Sequence, residues 1–399
     1  MRLAALFLTF SVLLCAQDAD VKARVRGVRD LAKQGDPAKI APYLGDADLN
    51  VRLEATKALV DIGGPKTVDP LVTATRDNDS EIQIRATDGL VNVYLPGYTK
   101  SGIAGTLQRA GTAVKARFTD TNDQVIDGFV QVPATVTDAI ARLVSGGAGL
   151  DVRANAARAL GILRAKPATT QLVDALRSKD NLIMYESLIA LQKINDPSVG
   201  PRVSFLLRDL EEKVQIAALE TVGLLRTHEA AAGIRDALDH ARNIKVRRAA
   251  ASSLAMLGEA PDKAAFLAML QDKDDDIRSA GAEGLGRIKD PSVKPQLDAA
   301  LTAEKKTGPR LAGAFAISSL GNYDVAEFAP FRYLVHSLNL KSYRNVSNAY
   351  LTELLRDPAA RAAVYPLLAG PTLNGASKDE RIQLASILGK SGGKDSESY

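Results

Sequence analysis

From residue 48 onward, apolar and small side chains recur with a helical period. In Asp48-Leu-Asn-Val51-Arg52-Leu-Glu-Ala55-Thr-Lys-Ala58-Leu59-Val-Asp-Ile62-Gly63 they stand at Val51, Ala55, Leu59 and Ile62. Offsets of 0, +4, +8 and +11 share one face of an α-helix, which turns every 3.6 residues. The set returns down the chain. The Val51 column continues at Ile82, Val152, Ile183, Val214, Val246, Ile277 and Pro309. The Ala55 column reads Ala86, Ala156, Ser187, Ala218, Ala250, Gly281 and Gly313, always small. The Leu59 column reads Leu90, Leu160, Leu191, Val222, Leu254, Leu285 and Ile317. Apart from one gap of 70, successive members lie 31 or 32 residues apart. A small residue at +4 lets a neighbouring helix approach closely.

Half a repeat earlier lies a second amphipathic stretch, as in Ile40–Leu44, Leu172–Leu176, Val203–Leu207 and Phe266–Leu270. Each unit is therefore expected to be helix, short turn, helix. The punctuation agrees. Lys193-Ile-Asn-Asp-Pro-Ser-Val199 and Arg287-Ile-Lys-Asp-Pro-Ser-Val293 sit three repeats apart, and proline fits the first turn of a helix but cannot extend the one before. Asp48, Asp79 and Asp274 precede second helices and read as N-caps. A lone hairpin cannot bury its apolar face, so such units stack in file. The expected fold is all-α, a right-handed α-α superhelix or solenoid.

The pattern resembles the HEAT-repeat family, in the short form also found in phycobilisome lyases. The residues that carry it are Asp48-x-x-Val51-Arg52-x-x-Ala55-x-x-Ala58-Leu59-x-x-Ile62-Gly63 and their counterparts, over about 37–322. The resemblance implies an architecture strongly and an activity hardly at all. It admits a binding scaffold, a bilin lyase-like activity, or a component of a cell-envelope assembly. The arginine column departs from the pattern. It reads Arg52, Gln83, Arg153, Met184, Gln215, Arg247, Arg278 and Arg310, so an Asp–Arg ladder between repeats would be interrupted.

The organisation follows. Residues 1–16 read as a signal peptide and 17–36 as an N-terminal capping helix. Repeats 1–2 span 37–95, an insertion 96–133, repeats 3–8 134–322, a degenerate helical cap 323–390, and a tail expected to be disordered 391–399. In the leader, Arg2 is the basic region, Leu3–Leu14 the apolar region, and Leu14-Cys15-Ala16 a cleavage site. This predicts a periplasmic or secreted protein. Cys15 offers a lipid anchor as the alternative, which the bulky Leu14 before it disfavours. Cys15 is the sole cysteine, so cleavage after Ala16 would leave no thiol for disulfide, catalysis or metal. No later stretch is long and apolar enough to span a membrane.

Composition adds little: 46% hydrophobic and 25% charged is ordinary for a folded chain, and a net charge of +4 gives no argument for nucleic acid. The sixth position after Val51 samples the outward side of the second helices. It reads Lys57, Asp88, Arg158, Ile189, Glu220, Ser252, Glu283 and Phe315. A phosphate backbone needs one sign of charge, and here the sign alternates. The column therefore suits a protein or peptide partner, or is simply a solvated face. In the insertion, Ile103, Leu107, Val114 and Phe118 form an apolar helical stripe, either a lid over that face or a helix packed on repeats 2 and 3.

Catalytic and metal signals are weak. Asp272, Asp274, Asp276 and Glu283 have EF-hand spacing, but Ile277 occupies the position that needs glycine and is a core residue in the repeat register. His228, His240 and His336 lack zinc-site spacing. Gly284-Leu-Gly286 and Gly146-Gly-Ala-Gly149 fall in a helix column and a turn. No nucleophile, base and oxyanion donor converge, so no catalytic, metal or cofactor site is expected. The chain is expected to be a monomer or part of a larger complex.

Overall fold

A computed structural model describes residues 19–99, 124–369, 375–391, 393 and 396. The leader, Cys15, and the insertion residues Ile103, Leu107, Val114 and Phe118 lie outside them. The chain divides into two compact units, Met1–Val203 and Ser204–Tyr399. Among the described residues every regular element is helical.

The first unit opens with a helix over residues 19–34. Its hairpins follow, and we label their second helices α1 (Leu49–Ile62), α2 (Ser80–Tyr94), α3 (Leu150–Ile162) and α4 (Asn181–Ile194). In the second unit the same position is taken by α5 (Glu212–Leu224), α6 (Ile244–Leu257), α7 (Asp275–Ile288) and α8 (Thr307–Ser319). Most first helices are shorter, as in Val68–Ala74, Thr169–Ala175 and Lys263–Met269.

The apolar columns are the core. Val51, Ile82, Val152, Ile183, Val214, Val246 and Ile277 are all buried, as is every member of the Leu59 column. The small +4 column faces the first helix of its own repeat. A Cβ on Gly281 would stand 2.8 Å from both the Met269 Cβ and the Phe266 carbonyl. A second close approach joins one repeat to the next, between the +9 position of one second helix and the +7 position of its successor. A Cβ on Gly161 would lie 2.6 Å from the Ala190 Cα, one on Gly223 2.7 Å from the Ser253 Cα, and one on Gly286 2.7 Å from the Ala316 Cα. Real side chains do not tolerate such distances, so these glycines set the helix spacing. Ser253 reinforces the contact by donating to the Leu219 carbonyl of the preceding repeat, at 2.8 Å.

Caps fix where each second helix begins. Asp48 accepts from the Asn50 amide, Asp79 from those of Glu81 and Ile82, and Asp274 from those of Asp276 and Ile277. In the Asp-Pro junctions the preceding helix ends one residue before the pair, where Asn195 and Lys289 adopt left-handed backbone. Asp196 and Asp290 then cap short 3-10 turns that open on Pro197 and Pro291.

The insertion does not interrupt the stack. Helices α2 and α3 pack directly on one another, and Asn155 donates to Asp88 across the junction at 3.1 Å. The returning segment of the insertion closes on α3, where the amide of buried Ile126 donates to the Ile162 carbonyl at 3.0 Å.

The C-terminal segment continues the repeat chemistry. In four of the eight repeats the residue after the Val51 column donates to the carbonyl six residues before it: Arg52 to Asp46, Gln83 to Asp77, Arg153 to Gly147 and Arg278 to Asp272. Arg344 donates to Leu338 and Arg361 to Leu355 in the same way. In helix α9 (Arg344–Leu354) Ser347, Leu351 and Leu354 are buried at +4, +8 and +11 from Tyr343, so a ninth second helix follows the eight read from the sequence.

Candidate functional site

The sixth-position column divides by environment. Lys57 and Glu220 are exposed, Asp88, Arg158, Ser252 and Glu283 are half-buried, and Ile189 and Phe315 are buried. Several members are drawn into two polar clusters, one in each unit.

In the first unit, Arg158 on α3 forms a forked pair with Glu186 on α4: Nε to Oε2 at 3.1 Å, and Nη2 to Oε1 at 2.5 Å. Glu186 stands three residues before the column and is only 4% exposed, so the arginine is its compensation for burial. Burial works against the charged guanidinium, but the hydrogen bond and charge of Glu186 outweigh it and raise the Arg158 pKa. Tyr98, just past α2, brings its hydroxyl to this guanidinium. Burial, and then the Asp88 carboxylate, push the phenol well above its ordinary pKa, so it stays protonated.

In the second unit, Tyr350 of α9 reaches two column members at once. Its hydroxyl donates to Glu283 Oε1 at 2.5 Å, and its ring stacks on Phe315 with centroids 4.6 Å apart. Arg287 lies over the Phe315 ring and donates to Glu283 at 3.0 Å and to Glu353 at 3.1 Å. Arg226 pairs with the same Glu353 at 3.6 Å. Full burial, and then Glu283, drive the Tyr350 pKa far upward. For Glu353, burial opposes ionisation, yet Arg287 and Arg226 hold its pKa below the usual range. Charges of both signs are thus closed against one another within each cluster.

Tyr98 and Tyr350 were not foreseen as neighbours of the column, because Tyr98 lies past α2 in the insertion and Tyr350 on α9, beyond the eight repeats read from the sequence. The other motifs settle into structural roles. Asp272 caps the turn by accepting from the Asp274 amide, Asp274 and Asp276 pair with Arg248, and Ile277 is buried. His228 contacts Glu259, His240 contacts Asp236, and His336 contacts Glu380. Among the described residues no helix is long and apolar enough to cross a membrane.

Hairpins of two helices, stacked by glycine contacts and capped by aspartates, define a tandem helical-repeat protein. Family models for HEAT repeats match residues 11–91 and 199–281, and a model for the PBS lyase HEAT-like repeat matches 152–178. Residues 11–91, 152–178 and 199–281 therefore carry HEAT-type repeats. No curated protein matches it. Solved structures similar to it include YibA of Escherichia coli, 16% identical over 74% of this chain and 96% of that one, with a TM-score of 0.44. The CpcE–CpcF complex of phycocyanin lyase from Nostoc sp. PCC7120 is 17% identical over 72% and 94%, with a TM-score of 0.38. Kap95p, solved with RanGDP, is 13% identical over 90% of this chain and 52% of that one, with a TM-score of 0.45.

Proposed function

We propose that the chain is an exported, non-catalytic scaffold that holds a protein or peptide against the outward column of its second helices. One observation carries this reading: in each unit the column already accommodates a tyrosine from outside the eight repeats. Tyr98 meets Arg158, and Tyr350 sits between Glu283, Phe315 and Arg287. A surface that seats aromatic and charged side chains in this way suits protein chemistry. The exposed members, Lys57 and Glu220, differ in sign, which favours a partner of mixed charge over a phosphate backbone. Export rests on the leader formed by Arg2 and Leu3–Leu14, and it puts the mature chain in the periplasm or outside the cell.

A lyase-like reading has one specific support, the PBS lyase HEAT-like match over 152–178. A bilin that co-purifies with the chain would favour it.

Photocrosslinking tests the scaffold. Benzoylphenylalanine replaces Lys57 or Glu220 in one set, and Gln171 or Gln296, exposed on first helices, in another. Adducts to a common protein are expected from the first set and not from the second. Equal labelling of both sets, or none, overturns the reading.

A further inference from the structure

The interrupted arginine ladder leaves a cleft, and the repeats on either side say what would fit it. Two complete rungs share one geometry. Arg52 Nε donates to Asp77 of the next repeat at 2.7 Å, while Nη1 donates to the Asp46 carbonyl at 2.9 Å. Arg278 Nε donates to Glu304 of the next repeat at 2.7 Å and Nη1 to the Asp272 carbonyl at 2.9 Å. Its Nη2 adds Asp275, two residues before the Val51 column, at 2.8 Å.

Between the fifth and sixth repeats both halves of the rung are missing. Gln215 stands for the arginine and Ala241 for the acid of the next repeat. Glutamine alone does not force a gap. Gln83 also replaces an arginine, yet it donates to the Asp77 carbonyl at 2.6 Å and accepts from the Ala148 amide of the next repeat at 2.9 Å. Gln215 instead turns back to the Leu207 carbonyl at 2.8 Å and, among the described residues, makes no hydrogen bond across. An open cleft of about 360 Å³ results, lined by Gln215 and Ala241 themselves.

Two acceptors of the lost guanidinium remain. Asp209 holds the place of Asp46 and Asp272, but among the described residues no side chain donates to its carbonyl. Glu212 holds the place of Asp275, is exposed, and has no ion pair among the described residues. Asp236 contributes a further carboxylate, shared with Arg208 at 3.0 Å and His240 at 3.2 Å. We propose that this cleft receives the guanidinium of an arginine side chain from a partner protein, which completes the rung from outside. Arg242, exposed on the lining and without an ion pair among the described residues, would meet an acidic residue beside that arginine. The site lies on the turn edge of the hairpins and does not depend on the outward column.

Titration of the isotope-labelled full chain with acetyl-Gly-Arg-Gly-amide, followed by NMR, tests it. The Gln215 side-chain amide is expected to shift. Glu212→Gln should weaken the response about tenfold, which corresponds to about 1.4 kcal/mol. In the pair Gln215→Arg with Ala241→Asp, which rebuilds the rung, the backbone amides of Glu212 and Arg242, which line the cleft and should shift in the unaltered chain, are expected to stop responding. Failure of the arginine peptide to shift Gln215, an equal response to acetyl-Gly-Glu-Gly-amide, or an undiminished response in the Glu212→Gln chain overturns the proposal. Crosslinking at Lys57 and Glu220 is untouched by any of these outcomes.

Discussion

At the scale of single residues, the polar clusters show how costly an unpaired charge would be. Glu186 is 4% exposed, and Arg158 donates two hydrogen bonds to its carboxylate. Removing one member of a buried pair usually costs about 3–5 kcal/mol, because the other charge stays behind. Arg158→Met is therefore expected to destabilise the chain by about that much in denaturant titration. Adding Glu186→Leu to it should recover most of the loss, since neither charge then remains. A double variant as unstable as the single one would mean that the pair is not what holds α3 to α4. Neither the forked pair nor the Tyr98 contact was legible in the sequence. Glu186 stands on a different column from Arg158, and nothing in the spacing of 28 residues announces a partner.

At the scale of elements, helix starts depend on carboxylates that must stay ionised. A Lys263 hydrogen bond at 2.6 Å, and then the Ser292 amide, hold Asp290 at about 2, against an ordinary 3.8. Arg248 first, together with the Ile277 and Asp276 amides, likewise lowers Asp274. A depressed folded pKa contributes stability that is present above the unfolded value and lost as pH falls toward the folded one. Melting temperature should therefore fall between pH 4 and pH 2, and Asp290→Asn should flatten that limb. A flat profile over this window would contradict the capping role. These caps, the hairpin period and the buried 0 and +8 columns were all readable beforehand, because each depends on local residue type and a fixed spacing. The ninth second helix was harder to read. Tyr343 stands where a branched apolar residue usually does, 34 residues after Pro309, although Arg344, Ser347, Leu351 and Leu354 repeat the pattern.

At the scale of the whole molecule, stability in a repeat protein is close to a sum of hairpin terms and nearest-neighbour contacts. Here the neighbour contact is concentrated at the +9 and +7 positions. Self-alignment hides it, because the +9 column also contains Val60, Val91 and Gln192 beside Gly161, Gly223 and Gly286. The outward column, by contrast, could be located from spacing alone, but not which members would be exposed. Ile189 and Phe315 are buried, and Glu283 is engaged by a helix that the register did not include.

The sign of one substitution tests the stacking most directly. Glycine to alanine inside a helix normally stabilises by about 0.5–1 kcal/mol, and Gly27→Ala, with open space around it, should do so. Gly223→Ala would drive a methyl to 2.7 Å from the Ser253 Cα. It is expected to lose about 1–3 kcal/mol in chemical denaturation through overpacking. If Gly223→Ala instead gained stability as Gly27→Ala does, the fifth and sixth repeats would not be held face to face by their second helices.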